Sequence, residues 1–229
     1  MTQIVLVHGA YQGGWIWRDV AGALRAQGHD VRAPTLDGCA ERAGALRAGL
    51  TTESHAEEIA RLLFYEDLTN VTLVGTSTGG MALCRTAELV PGRIGRLVLL
   101  DALALLAGET VADIVDRRNA ITAELATGPS RVDAETRLFA GLDPAIRAWA
   151  LERTTPHPRA VLEAAVRLDR FWDLPWHATV VRCRRSANPA EAHQRRAAAR
   201  LDARYVELDT GHYPMLSLPG ETAGLIAAA

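Results

Sequence analysis

Short continuous apolar runs alternate along the chain with stretches whose apolar residues recur every three to four positions. Residues 3–7, 31–33, 71–74, 97–100, 179–182 and 205–208 have the length and β-branched content of buried strands. Residues 15–27, 81–90, 162–168, 189–200 and 220 to the end carry the helical period, as does a stretch running to about residue 65 with Thr52 or Ser54 as its cap. Strand and helix alternate, which predicts an α/β class with a mostly parallel sheet covered by helices on both faces. The alternation stops between about residues 104 and 172, a helix-rich segment without a strong strand run, punctuated by Pro156 and Pro158. It is too long for a simple crossover and too short for an independent domain, so it is expected to be a helical cap inserted into a core made of 1–103 and 173–229.

The sharpest local signal sits where the run 71–74 meets the helix after it. The sequence there is G-T-S-T-G-G-M at 75–81, which places Ser77 between glycines two residues away on each side. Strand, tight turn and helix around G-x-S-x-G are the context of a nucleophile elbow. Side chains at 75 and 79 would crowd the neighbouring strand and helix, and glycine removes that crowding. The hydroxyl of Ser77 is then held above the sheet, and the start of the helix offers N–H groups to a developing oxyanion. A serine nucleophile also needs a base and an acid to orient it. His212, on the glycine-bearing loop after the last predicted strand, is the candidate base. His29, His55, His157, His177 and His193 read as exposed loop histidines. The loop H-G-A-x-x-G-G-W-x-W at 8–17 supplies the second oxyanion donor, the N–H of Ala10, beside that of Thr78. His8 reads as a structural loop residue, and Trp15 and Trp17 as packing.

Composition narrows the partners. The chain has 229 residues, 48% of them hydrophobic and 23% charged, which suits one α/β domain. A formal net charge of −2 makes no electrostatic case for nucleic acid or an acidic membrane surface. There is no lysine, so every fixed side-chain cation is an arginine. Cys39, Cys84 and Cys183 fit neither a metal cluster nor a disulfide framework. No basic segment leads into an apolar signal stretch, so a cytoplasmic protein is expected. No metal or cofactor is called for. The expected partner is a small-molecule substrate, and a homodimer stays open.

Taken together, the motifs at 8–17 and 75–81, T-L-D-G-x-x-E-R at 35–42 and G-H-Y-P-M at 211–215 resemble the α/β-hydrolase superfamily. More narrowly, the chain is similar to the branch of plant methyl-ester esterases, plant hydroxynitrile lyases and their bacterial relatives. The resemblance runs through nearly the whole chain and is weakest in the cap. It implies the α/β-hydrolase fold and a Ser–acid–His triad. In much of that superfamily the acid lies in the loop after the penultimate strand, where this chain has only Ser186 and Asn188. Some relatives carry it at the end of the strand after the elbow helix, where this chain has Asp101. The implied triad is Ser77–Asp101–His212, with Asp209 or a Ser–His dyad as alternatives. Lyases of this branch use a Thr in the oxyanion loop and a Lys after the histidine. Here those places hold Ala10 and Tyr213, which disfavours cyanohydrin cleavage. The expectation is a serine hydrolase for a small to medium ester, lactone or thioester. A natural-product cyclase, lyase or decarboxylase, or a ligand receptor on the same fold, stays open. Arg117, Arg118, Arg131 and Arg137 read as a solvated cap surface that could also attract an acidic substrate.

Overall fold

The computed structural model describes residues 1–115 and 121–229, so Arg117 and Arg118 lie outside the described residues. Nine strands are seen among these residues: β1 (Gln3–Val7), β2 (Asp30–Arg32), β3 (Val71–Ser77), β4 (Ile94–Ala102), β5 (Ile121–Thr122), β6 (Ala126–Gly128), β7 (His157–Pro158), β8 (Ala178–Cys183) and β9 (Arg204–Leu208). Six of them form one sheet in the order β2-β1-β3-β4-β8-β9, with every pair parallel. Each strand predicted from the apolar runs is present in that sheet.

Side chains alternate across a strand, so the continuous runs feed both faces. Val5, Val7, Leu73, Leu97 and Leu99 face one apolar cluster, packed against α2 (Thr52–Tyr65) and α3 (Gly79–Leu89) through Ile59, Leu63, Met81 and Leu83. Ile4, Leu6, Val74, Val98 and Leu100 face the other, against α1 (Arg18–Ala26) and the helix Pro219–Ala227. Each such buried aliphatic side chain contributes about 1.5–3 kcal/mol. Trp17 is fully buried in the second cluster, and Trp15 packs edge-on against Trp149, as expected of packing residues.

Two expectations need correcting. The residue preceding α2 is Thr51, one position before Thr52, and its N–H donates to Ser54 Oγ at 3.3 Å. The stretch 162–168 is not helical throughout: the helix Arg159–Glu163 ends there, and Ala164 is extended. Its continuation instead pairs with the chain after β4, Val166 N–H donating to Glu109 O at 2.9 Å and Gly108 N–H to Val166 O at 3.0 Å. Segment 104–172 has no long strand among the described residues, as expected, but β5, β6 and β7 pair antiparallel into a small separate sheet. Its strands are two or three residues long, too short for an alternation to register.

This segment is inserted between β4 and β8, two strands adjacent in the large sheet. Buried Glu88, near the end of α3, fastens its exit. One carboxylate oxygen accepts the backbone N–H of Asp169 at 2.8 Å and that of Arg170, and the other accepts from Arg85 at 3.0 Å. Arg85 in turn makes a bidentate pair with Glu53 on α2. Among the described residues no helix is long and apolar enough to cross a membrane.

Candidate active site

Ser77 ends β3 with φ +51°, and α3 begins two residues later at Gly79. A left-handed conformation at a non-glycine residue costs on the order of 1–3 kcal/mol and persists only where the surroundings enforce it. The two flanking glycines show that enforcement. A Cβ on Gly79 would lie 2.5 Å from the His8 carbonyl oxygen, and one on Gly75 would lie 2.7 Å from that of Gly79. The turn is therefore pressed against the end of β1. The loop after β1 reaches the serine itself, since a Cβ on Gly9 would stand 2.7 Å from Ser77 Cβ and 3.4 Å from its Oγ. Ala10 and Thr78, the two expected oxyanion donors, follow Gly9 and Ser77 directly and are both buried.

Asp101 and His212 meet. Asp101 Oδ2 is 2.6 Å from His212 Nδ1, with the carboxylate fully buried and the imidazole 18% exposed. Two features aim Asp101 there. In the pairing of β3 with β4, Thr76 sits opposite Leu100 and Ser77 opposite Ala102, so Asp101 is an extra residue in the ladder, with φ +45°. Such a bulge turns a side chain out of the ordinary alternation. The second oxygen, Oδ1, accepts the Cys183 N–H at 3.1 Å from the neighbouring strand, so neither carboxylate oxygen is left without a donor. A carboxylate only accepts, which places the His212 proton on Nδ1 and the lone pair on Nε2.

The alternative acids are engaged elsewhere. Asp209 is exposed and pairs with Arg185 at 2.6 Å and Arg184 at 3.3 Å. The Ser186 hydroxyl donates to Asn188 O at 2.9 Å. Cys39, Cys84 and Cys183 are free and buried, and burial pushes the Cys39 thiol up to about 12. Among the described residues, no three His, Cys, Asp or Glu side chains are grouped to hold a metal ion.

Several supporting residues were not visible in the sequence. Gln12, buried in the loop after β1, accepts the Gly9 N–H through Oε1 at 3.2 Å and also hydrogen-bonds the Tyr213 phenol, tying the Ala10 loop to the His212 loop. Burial raises that phenol's pKa, so Tyr213 stays neutral. His193 and Gln194, on the helix Glu191–Arg200, hold the backbone just past Asp101. His193 Nε2 accepts the Ala104 N–H at 3.0 Å, and Gln194 Nε2 donates to Ala102 O at 3.1 Å. His193 is thus buried and not an exposed loop histidine, and so are His55 and His157. His55 Nε2 lies 3.0 Å from Asp37 O, and His157 Nδ1 lies 3.4 Å from Cys39 Sγ. His8 is structural, as read: Nδ1 donates to Gly9 O at 2.8 Å, and Nε2 accepts the Leu36 N–H at 3.1 Å.

Burial lowers the pKa of His8 and of His193 from 6.5 to about 4, with Arg196 adding to the effect at His193. Both are neutral in the native state, whereas the unfolded chain protonates them below about 6.5. Between pH 6.5 and 4 the unfolded state therefore binds more protons, and stability falls as pH falls. Each histidine is expected to remove about 3 kcal/mol over that window. Urea unfolding midpoints measured from pH 7 to pH 4.5 check this. A flat midpoint would contradict two buried neutral imidazoles.

The comparisons with known proteins bear on the family and the fold. Residues 4–225 match the model of the Alpha/beta hydrolase family. A carbendazim hydrolyzing esterase from Nocardioides sp. is 38% identical over 117 residues, 51% of this chain and 48% of that protein. Arabidopsis thaliana alpha-hydroxynitrile lyase and Methylesterase 3 are each 33% identical, over 99 and 102 residues, or 43% and 44% of this chain and 38% and 39% of theirs. The matched stretches thus span about half or less of these relatives. Among solved structures, an extracellular alpha/beta-hydrolase from a Paenibacillus species superposes with a TM-score of 0.86 at 21% identity, covering 100% of this chain and 99% of its own. With an all-parallel sheet, a serine on a left-handed turn between strand and helix, and a family match along almost the whole length, the chain belongs to the alpha/beta hydrolase family.

Proposed function

We propose that the chain is a serine esterase that cleaves a small to medium carboxylic ester, lactone or thioester through an acyl-enzyme on Ser77. The observation that carries this reading is the 2.6 Å bond between Asp101 and His212 at the sheet edge where Ser77 sits on its strained turn. In the proposed mechanism, His212 Nε2 takes the Ser77 proton as the oxygen attacks the carbonyl carbon. The N–H groups of Ala10 and Thr78 hold the oxyanion. Asp101 stabilises the imidazolium, which then protonates the leaving alkoxide or thiolate, and water releases the acid by the reverse sequence. The inserted segment 104–172 serves as the cap over this site. The esterase names of the Nocardioides and Arabidopsis relatives support the reaction class.

The lyase relative does not redirect the assignment. Ala10 has no hydroxyl, Tyr213 is a buried neutral phenol, and the chain has no lysine to receive cyanide. A fluorophosphonate probe is expected to label Ser77 stoichiometrically, and p-nitrophenyl acetate to give a burst of p-nitrophenol followed by slower turnover. Absence of both labelling and burst would point instead to a cyclase or lyase chemistry, or to a receptor.

A further inference from the structure

The inserted segment contains a cavity of about 160 Å³ whose lining includes Arg131, Thr155, Ala134 and Leu151. That volume is enough for the end of a short chain. Arg131, itself exposed, is the one charged residue in the described lining, which holds no Asp or Glu. The hydroxyls around it are unequal. Ser130 donates to Asp133 at 2.6 Å, and Thr154 donates to Ala150 O at 3.0 Å. Thr155 Oγ1 instead accepts the Ala40 N–H at 3.1 Å, which leaves its own proton to donate. Among the described residues no ion pair engages the Arg131 guanidinium. The side-chain groups left without a protein partner are therefore both donors, a set complementary to a group that only accepts.

Two lining residues lie against Tyr11, and two others share an apolar cluster with Tyr213. The Thr155 N–H donates to Tyr11 O at 3.2 Å, and a Cβ on Gly128, another lining residue, would lie 3.8 Å from the Tyr11 ring. Tyr11 directly follows Ala10. On the other side, Ala134 and Leu151 belong to the apolar cluster that contains Phe139 and Tyr213. The Phe139 and Tyr213 rings are 4.8 Å apart, and Tyr213 directly follows His212.

We propose that this cavity is a carboxylate subsite, in which Arg131 and Thr155 hold a free carboxylate of the substrate while its ester lies at Ser77. This rests on the esterase reading and narrows it to short esters bearing a second, ionised carboxyl group, such as half-esters of dicarboxylic acids. A charge-assisted pair in a partly enclosed site binds such a group, and a neutral chain of the same length gains nothing from it.

The test compares mono-p-nitrophenyl glutarate with p-nitrophenyl pentanoate, and titrates glutarate calorimetrically, for the native protein, Arg131→Gln and Arg131→Lys. Unfolding midpoints confirm that the variants are folded. The ratio of kcat/KM for the anionic over the neutral ester is expected to fall at least tenfold in Arg131→Gln, through KM, and to recover in part in Arg131→Lys. Glutarate affinity is expected to weaken by a similar factor. An unchanged ratio, or glutarate that binds native and Arg131→Gln protein equally or not at all, overturns the subsite. If neither ester turns over, the hydrolase reading fails and the titration alone decides. Glutarate binding lost in Arg131→Gln then upholds the subsite, and unaltered binding overturns it.

Discussion

Replacing Asp101 with Asn is expected to lower kcat for ester hydrolysis by about 10⁴-fold, as in a serine-protease triad whose acid is converted to the amide. The shape of the side chain survives, and the amide oxygen can still accept the Cys183 N–H. The amide nitrogen then faces His212 Nδ1 in place of the oxygen now 2.6 Å away. A donor at that position forces the imidazole proton onto Nε2, and a protonated Nε2 cannot take the proton of Ser77. The imidazolium also loses its counter-charge. The check is kcat on a fast p-nitrophenyl ester, with an unfolding midpoint close to native. Ser186→Ala is the matched control and should stay within about twofold, because its hydroxyl is spent on Asn188 O. Comparable activity in Asp101→Asn and native protein would remove Asp101 from the mechanism.

Ser77→Ala is expected to fold normally and to lose at least about 10³-fold in rate, since the members of a triad act as a unit and most of the loss appears on removing any one. Alanine has the same backbone preference as serine at φ +51°, so the turn itself should be unaffected. The burst should vanish along with steady turnover. A folded Ser77→Ala protein that keeps most of its activity would exclude the acyl-enzyme and favour chemistry in which the pocket acts without a nucleophile.

How far the sequence reveals this site depends on the range of the contacts involved. The β3–turn–α3 unit is legible because its signals, an apolar run followed by glycines at fixed spacing, lie within about fifteen residues of one another. His212 is legible as a histidine on the loop after the last strand. Asp101 is reached only through a resemblance, because its orientation comes from a bulge defined by the pairing of β4 with β3. The buried histidines are misread for the same reason. The partners of His55, His157 and His193 lie 18, 118 and 89 positions away, and no local pattern reports them. The stretch 162–168 has helical periodicity, yet part of it pairs with residues 108 and 109, where tertiary hydrogen bonding overrides propensity.

The fastening of the inserted segment bears on how this protein can vary. Glu88 grips the exit through the backbone N–H groups of Asp169 and Arg170 and not through their side chains. Every residue except proline carries that group. The clasp is thus blind to what is written at those two positions, and its own half lies entirely on α3 and α2, in Glu88, Arg85 and Glu53. An insertion of different sequence can dock on the same hook as long as its backbone passes there. Chimeras that exchange the segment while keeping these three side chains are expected to retain the attachment point, so the segment can change in sequence without a change in the helices that hold it.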